Sequence, residues 1–144
     1  GFNSRLDEIQ ASILNFKLNK VDYFIKKRQK LAKTYINELS STNLKLPYQS
    51  LNCNHVYHLF TVFHPKADKI TKKLLNSGIE TRKIYPYPIH LMNAYSALIK
   101  NKKKLVNSEK KSNGIFCLPL YPELKNKELK IICTTLKKVL KRVK

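Results

Sequence analysis

Glycine is scarce in this sequence: Gly1, Gly78 and Gly114 are the only three in 144 residues. A phosphate-cradling loop needs closely spaced glycines so that backbone amides can approach the ligand, and nucleotide folds of that kind are therefore excluded. Acidic residues are also few, nine in all. They are scattered, and no two stand at a spacing that suggests paired acid–base work. No apolar run approaches the roughly eighteen residues of a membrane span. The start does not read as a signal peptide either, because Asp7 and Glu8 come early and no small-residue cleavage site follows an apolar core. Cysteine is limited to Cys53, Cys117 and Cys133, an odd number without a short pairing pattern. These are expected to be reduced thiols of a cytoplasmic protein.

What is abundant is positive charge. The formal net charge is +20, from 29 basic residues of which only Arg5, Arg28, Arg82 and Arg142 are arginines. Such a field attracts nucleic acid and other polyanions, so a lysine-rich, non-catalytic nucleic-acid or anion-binding module is one reading. Lysines spread evenly, without arginine forks or interleaved aromatics, fit a solvated surface better.

The opening strip, Gly1-Phe2-Asn3-Ser4-Arg5-Leu6-Asp7-Glu8-Ile9-Gln10-Ala11-Ser12-Ile13-Leu14, turns from polar to helical without a linker. Ser4 and Asp7 stand at capping-box spacing, and Leu6, Ile9 and Ile13 then form an apolar face. Asn3 and Arg5 lie at the mouth of this helix, where open amides and the dipole favour an anion. The chain begins inside this pattern without a methionine, as expected of a piece cut from a longer protein. The helix is predicted to run, with a break near Asn19 to Asp22, to about Leu39. An amphipathic element of that length is expected to lie against something outside its own small domain.

Downstream, Ser40 to Asn54 reads as a loop and Tyr57 to His64 as a strand. Asp68 is predicted to cap a helix bearing Ile70, Leu74 and Leu75, closed by Gly78. Ile79 to Tyr85 is predicted as a second strand, Met92 to Leu98 as a short helix, and Leu105 to Asn113 as a helix ending at Gly114. A third strand is predicted over Ile115 to Leu120. A last amphipathic helix carries Leu129, Ile132, Leu136, Val139 and Val143. The fold class is thus α/β, a long N-terminal helix leading into a small three-stranded sheet covered by helices. Residues 1–40 form the helical segment and residues 41–144 the small domain.

His55 and His58 suggest a metal only superficially. Residues three apart in a strand face opposite sides, and no second pair of ligands is near, so no metal site is expected. Thr81-Arg82-Lys83-Ile84-Tyr85-Pro86-Tyr87-Pro88-Ile89-His90 is more suggestive. Its alternating prolines stiffen the backbone around Tyr85 and His90, either as a rigid turn with buried aromatics or as a ligand-facing loop.

Taken together, these stretches resemble the DegT/DnrJ/EryC1/StrS family of pyridoxal-phosphate enzymes, which mostly aminate keto sugars attached to nucleotides. The matching pieces occur in order along nearly the whole chain. They are Gly1 to Ala11, Arg28 to Tyr35, His55-Val56-Tyr57-His58-Leu59-Phe60, Gly78-Ile79-Glu80-Thr81, Tyr85-Pro86-Tyr87-Pro88-Ile89-His90 and Cys117-Leu118-Pro119-Leu120-Tyr121-Pro122. The resemblance corresponds to the C-terminal part of a fold type I enzyme, whose cofactor-binding large domain, with the Schiff-base lysine, would lie upstream. It implies that Asn3 contacts the cofactor phosphate with Arg5 nearby, in a site shared across a homodimer interface. It also implies that His58, Tyr85 and His90 line the nucleotide-sugar pocket and that glutamate is a suitable amino donor. Many members carry histidine or tyrosine immediately before the Tyr-Pro pair, whereas this chain has Ile84. The catalytic lysine is absent from these residues, so they are expected to be inactive alone. Relatives with histidine in its place dehydrate instead of transaminating.

Overall fold

A computed structural model describes residues 5–95, 98 and 104–143. Among these, the helices are α1 (Glu8–Leu18), α2 (Val21–Leu39), α3 (Ala67–Leu75), α4 (Val106–Gly114) and α5 (Asn126–Lys141). The strands β1 (Phe60–Phe63) and β2 (Ile115–Leu118) pair antiparallel, with Phe60 opposite Leu118 and Phe63 opposite Ile115. No helix among the described residues is long and apolar enough to cross a membrane.

The break in the opening helix falls where the sequence placed it, between α1 and α2, and the Lys20 N–H turns back to the Lys17 carbonyl. The start differs. The N-terminal cap position of α1 is Asp7, and its carboxylate makes no capping bond, while Ser4 lies outside the described residues. No residue of α1 is buried. By contrast, α2 buries Leu31, Ala32, Tyr35 and Leu39. α5 lies against both α2 and α3, and buries Leu129, Ile132, Leu136, Val139 and, just beyond its end, Val143. The core therefore sits between the two-stranded sheet, α2, α3 and α5.

The sheet has two strands instead of the three expected. Ile79 to Tyr85 contributes a single bridge, Arg82 to Cys117, on the outer side of β2. The cause is local. The Ile79 amide is already spent on the Leu74 carbonyl, closing α3 through Gly78 at φ 76°. At the other end Pro86 and Pro88 have no N–H to give, so pairing is confined to the middle. On the far side of β1, Lys45 forms a matching single bridge with Phe63. β1 is also shorter than predicted, because Tyr57 takes a positive φ of 48° and belongs to a turn.

Asp68 does not cap α3. The helix starts earlier because His64 supplies the acceptors: its Nδ1 takes the Lys66 N–H at 3.0 Å and its carbonyl takes the Ala67 N–H at 3.1 Å. The predicted helix over Met92 to Leu98 is replaced by two short 3-10 turns, Ile89–Leu91 and Asn93–Tyr95, and residues 96 and 97 of that span lie outside the described residues. Gly114 is required where it is, since a Cβ there would run into the ring of Phe63.

His64 is 5% exposed, and its Nε2 lies 3.1 Å from the Asn43 side-chain amide. Burial first, and then the Lys66 charge, hold its pKa below the ordinary 6.5. The unfolded chain then takes up a proton before the folded one does. The neutral ring's contribution is complete above the unfolded value and is lost as pH falls through the lower folded value. Thermal melts should show the midpoint dropping as pH falls below about 6.5, before most carboxylates titrate. His64→Gln should flatten that slope.

Candidate functional site

Two loops carry the side chains singled out by the sequence, and each is held by a neighbouring helix. The first, residues 54–58, lies along α2. Arg28 Nη1 donates to the carbonyls of His58 and Leu120 at 3.0 Å each, and reaches that of Tyr57 at 3.4 Å. One turn face further, Gln29 Nε2 donates to the His55 carbonyl at 3.1 Å and to Asn54 Oδ1 at 2.6 Å. The Tyr57 N–H closes the turn on His55 Nδ1 at 2.8 Å. His58 is thus fixed through its backbone, while the residue itself stays exposed. The same helix holds the Cys117 to Pro122 stretch, because the Tyr35 hydroxyl donates to the Pro119 carbonyl at 2.9 Å.

The second loop, residues 84–90, is held by α4. Ser112 Oγ stands 2.8 Å from the Pro86 carbonyl and 3.3 Å from that of Tyr85. A hydroxyl has one proton, so Pro86 is its main acceptor. The Ile84–Tyr85 peptide bond is cis. With its carbonyl and that of Pro86 held by Ser112, Tyr85 is 73% exposed. His90 is different: its side chain is only 12% exposed and Nε2 lies 3.2 Å from Glu109 Oε1.

Tyr85 and His90 therefore share one scaffold, α4, whereas His58 is held by α2. No hydrogen bond joins His58 to either of them among the described residues. A mostly apolar cleft of about 600 Å³ lies nearby, lined by Ile79, Arg82, Ile84, Pro119, Leu124 and Ile132 among others. None of His58, Tyr85 and His90 lines it. Its Arg82–Glu80 pair, 3.4 Å apart with both side chains largely exposed, adds little. The candidate polar groups His58, Tyr85 and His90 are on the two loops, outside this cleft.

Of the residues assigned to the cofactor, Asn3 lies outside the described residues and Arg5 is exposed directly before α1. An arginine in the stretch before an uncapped helix start is a residue type suited to a phosphate group.

Sequence reasoning missed three residues that hold this arrangement. Arg28 stands among the lysines of α2, and nothing in its spacing shows that its Nη1 reaches the carbonyls of residues 58 and 120. Glu109 and Ser112 are three apart on α4, so they share a face, but their partners lie 19 and 26 residues away and cannot be read from spacing.

Residues 1–137 match the model of the DegT/DnrJ/EryC1/StrS aminotransferase family. The chain is 36% identical over 129 residues to the dTDP-3-amino-3,4,6-trideoxy-alpha-D-glucose transaminase of Micromonospora megalomicea subsp. nigra, covering 86% of this chain and 34% of that protein. It is 34% identical over 136 residues to the UDP-2-acetamido-2-deoxy-3-oxo-D-glucuronate aminotransferase of Pseudomonas aeruginosa, covering 94% of this chain and 37% of that protein. Among solved structures, DesV of S. venezuelae superposes with a TM-score of 0.93 at 31% identity, over 100% of this chain and 39% of that one. NtdA of Bacillus subtilis with bound cofactor PMP gives 0.86 at 30% identity, over 98% and 34%. The chain spans about a third of the length of the curated relatives it matches. With a match running from Gly1 to Lys137 and the same fold in solved members, the chain belongs to the DegT/DnrJ/EryC1/StrS aminotransferase family.

Proposed function

We propose that these residues are the C-terminal part of a pyridoxal-phosphate-dependent aminotransferase that acts on a nucleotide-linked keto-deoxysugar, with glutamate as amino donor. The observation that carries this reading is the similarity over nearly the whole chain to transaminases named for dTDP- and UDP-linked sugars. Residues 41–144 serve as the small domain, and residues 1–40 connect it to a cofactor-binding large domain and to a neighbouring subunit. The intact enzyme is a cytoplasmic homodimer supplying amino sugars for surface polysaccharide or a glycosylated product.

Pyridoxal phosphate, when bound, supplies the electron sink through which an amino group passes from donor to keto carbon. This chain's share is binding and orientation. Asn3 and Arg5 hold the cofactor phosphate of the neighbouring subunit's site. Tyr85, His58 and His90 contact the nucleotide-linked sugar. Support for a partner comes from α1, where Ile9 is 77% exposed and Ile13 and Phe16 are also open, an apolar face that a monomer would leave in water. Nothing favours the rival anion-binding module: the lysines stay dispersed, and the arginine beside the first loop is engaged by carbonyls.

The visible spectrum of the full-length protein tests this reading. A yellow complex with pyridoxal phosphate, bleached by glutamate, is the expected result. A full-length protein that takes up no pyridoxal phosphate sinks the proposal.

A further inference from the structure

His90 and Glu109 form a small device that the site residues alone do not explain. The Glu109 carboxylate oxygen Oε1 accepts two hydrogen bonds, from His90 Nε2 at 3.2 Å and from the Leu105 N–H at 3.0 Å. Leu105 is the N-terminal cap position of α4. The carboxylate is therefore fixed by the helix terminus whether or not a ligand is present, and its side chain is 24% exposed. An ionised carboxylate only accepts, so the hydrogen between the two groups belongs to Nε2. In a neutral imidazole, the other nitrogen, Nδ1, then carries the lone pair. Ser112, one helical turn along α4, anchors the Pro86 carbonyl in the same loop, so the ring's nitrogen and the backbone leading to it are set by one element.

We propose that Glu109 is a positioning residue for His90. It fixes the Nε2–H tautomer, so that the loop offers Nδ1 as a hydrogen-bond acceptor to a hydroxyl of the bound sugar and not a donor to its phosphates. The identity of the ligand rests on the function proposed above; the tautomer does not.

The test has two readouts on the full-length protein. In nitrogen-15 histidine spectra, with His90 assigned by its loss in His90→Gln, the neutral ring should be protonated at Nε2. Glu109→Gln keeps an acceptor oxygen and should keep that tautomer, whereas Glu109→Leu should lose the preference. A wild-type ring protonated at Nδ1 overturns the proposal without any variant. Calorimetry with dTDP-glucose and dTDP as probes then reads the ligand. His90→Ala should weaken dTDP-glucose about tenfold and leave dTDP within twofold. Glu109→Leu added to His90→Ala should cost nothing more, because both act through one contact. Additive losses overturn the positioning role, and equal weakening of dTDP overturns the hydroxyl assignment. Failure of the wild type to bind dTDP-glucose also overturns that assignment. Uptake and bleaching of pyridoxal phosphate separately decide whether the aminotransferase reading stands.

Discussion

Replacing Arg28 by methionine should lower unfolding stability by about 3 kcal/mol, a loss typical of removing a charged donor from partly buried acceptors. Three carbonyls converge on Nη1, but two are at 3.0 Å and the third at 3.4 Å. The two short bonds set the scale, at about 1.5 to 3 kcal/mol each when the donor is charged. The sum is an overestimate, since the bond to His58 is exposed and water replaces part of it. Methionine retains an unbranched apolar stem, so the change isolates the polar contribution. Urea unfolding should show a lower midpoint at an unchanged slope. Arg28→Lys should recover less than half, because the lysine stem is one bond shorter and its ammonium falls short of the position from which Nη1 serves the carbonyls of residues 58 and 120. A loss below about 1 kcal/mol for the methionine variant would mean that water satisfies these carbonyls and that Arg28 does not hold the loop.

Why Arg28 escaped notice shows where reading the chain stops working. Elements marked by their own neighbours were legible. The break between α1 and α2, the glycine stop of α3 and the apolar stripe of α5 all follow from residues within a turn or two of one another. What depended on competition for a backbone group was not. Ile79 has the composition of a strand residue, yet its amide closes α3, and that choice removed the third strand. Asp68 looked like a cap, but the ring and carbonyl of His64 reached the open amides first. Among the candidate site residues, Tyr85 and His90 lie in a stretch that its prolines marked as a stiff turn or a ligand-facing loop. Their supports, Ser112 and Glu109, sit on a helix whose sequence, Val-Asn-Ser-Glu-Lys-Lys-Ser-Asn-Gly, is polar enough to pass for an ordinary solvated element.

Phe60→Ala should be the most damaging single truncation of an aromatic in the core, costing about 3–5 kcal/mol. Phe60 is 0% exposed and its ring stacks on Tyr35 at 4.8 Å between centroids, with the Tyr57 ring at 6.3 Å. Deleting it leaves a void bordered by three separate elements: α2 through Tyr35, the turn through Tyr57, and β2 through the opposing Leu118. None of these can collapse into the space without giving up something fixed. Tyr35 would have to leave the Pro119 carbonyl, and moving Tyr57 would pull the turn away from Arg28. The void therefore stays largely open, which places the cost at the upper end of the range. Domains of this kind are stable by about 5–15 kcal/mol, so the variant should remain folded but close to its limit. Phe60→Leu keeps most of the volume and should cost about 1–2 kcal/mol. The difference between the two variants measures how rigid the surround is. If alanine proves no worse than leucine, then α2 and the His55–His58 turn have closed over the gap, and the turn that presents His58 is softer than its hydrogen bonds imply. Limited proteolysis across residues 50–58 separates the outcomes: a cleavage rate close to that of the unsubstituted protein is expected while the turn holds and the void persists, and rapid cleavage in the alanine variant alone marks a turn that has given way.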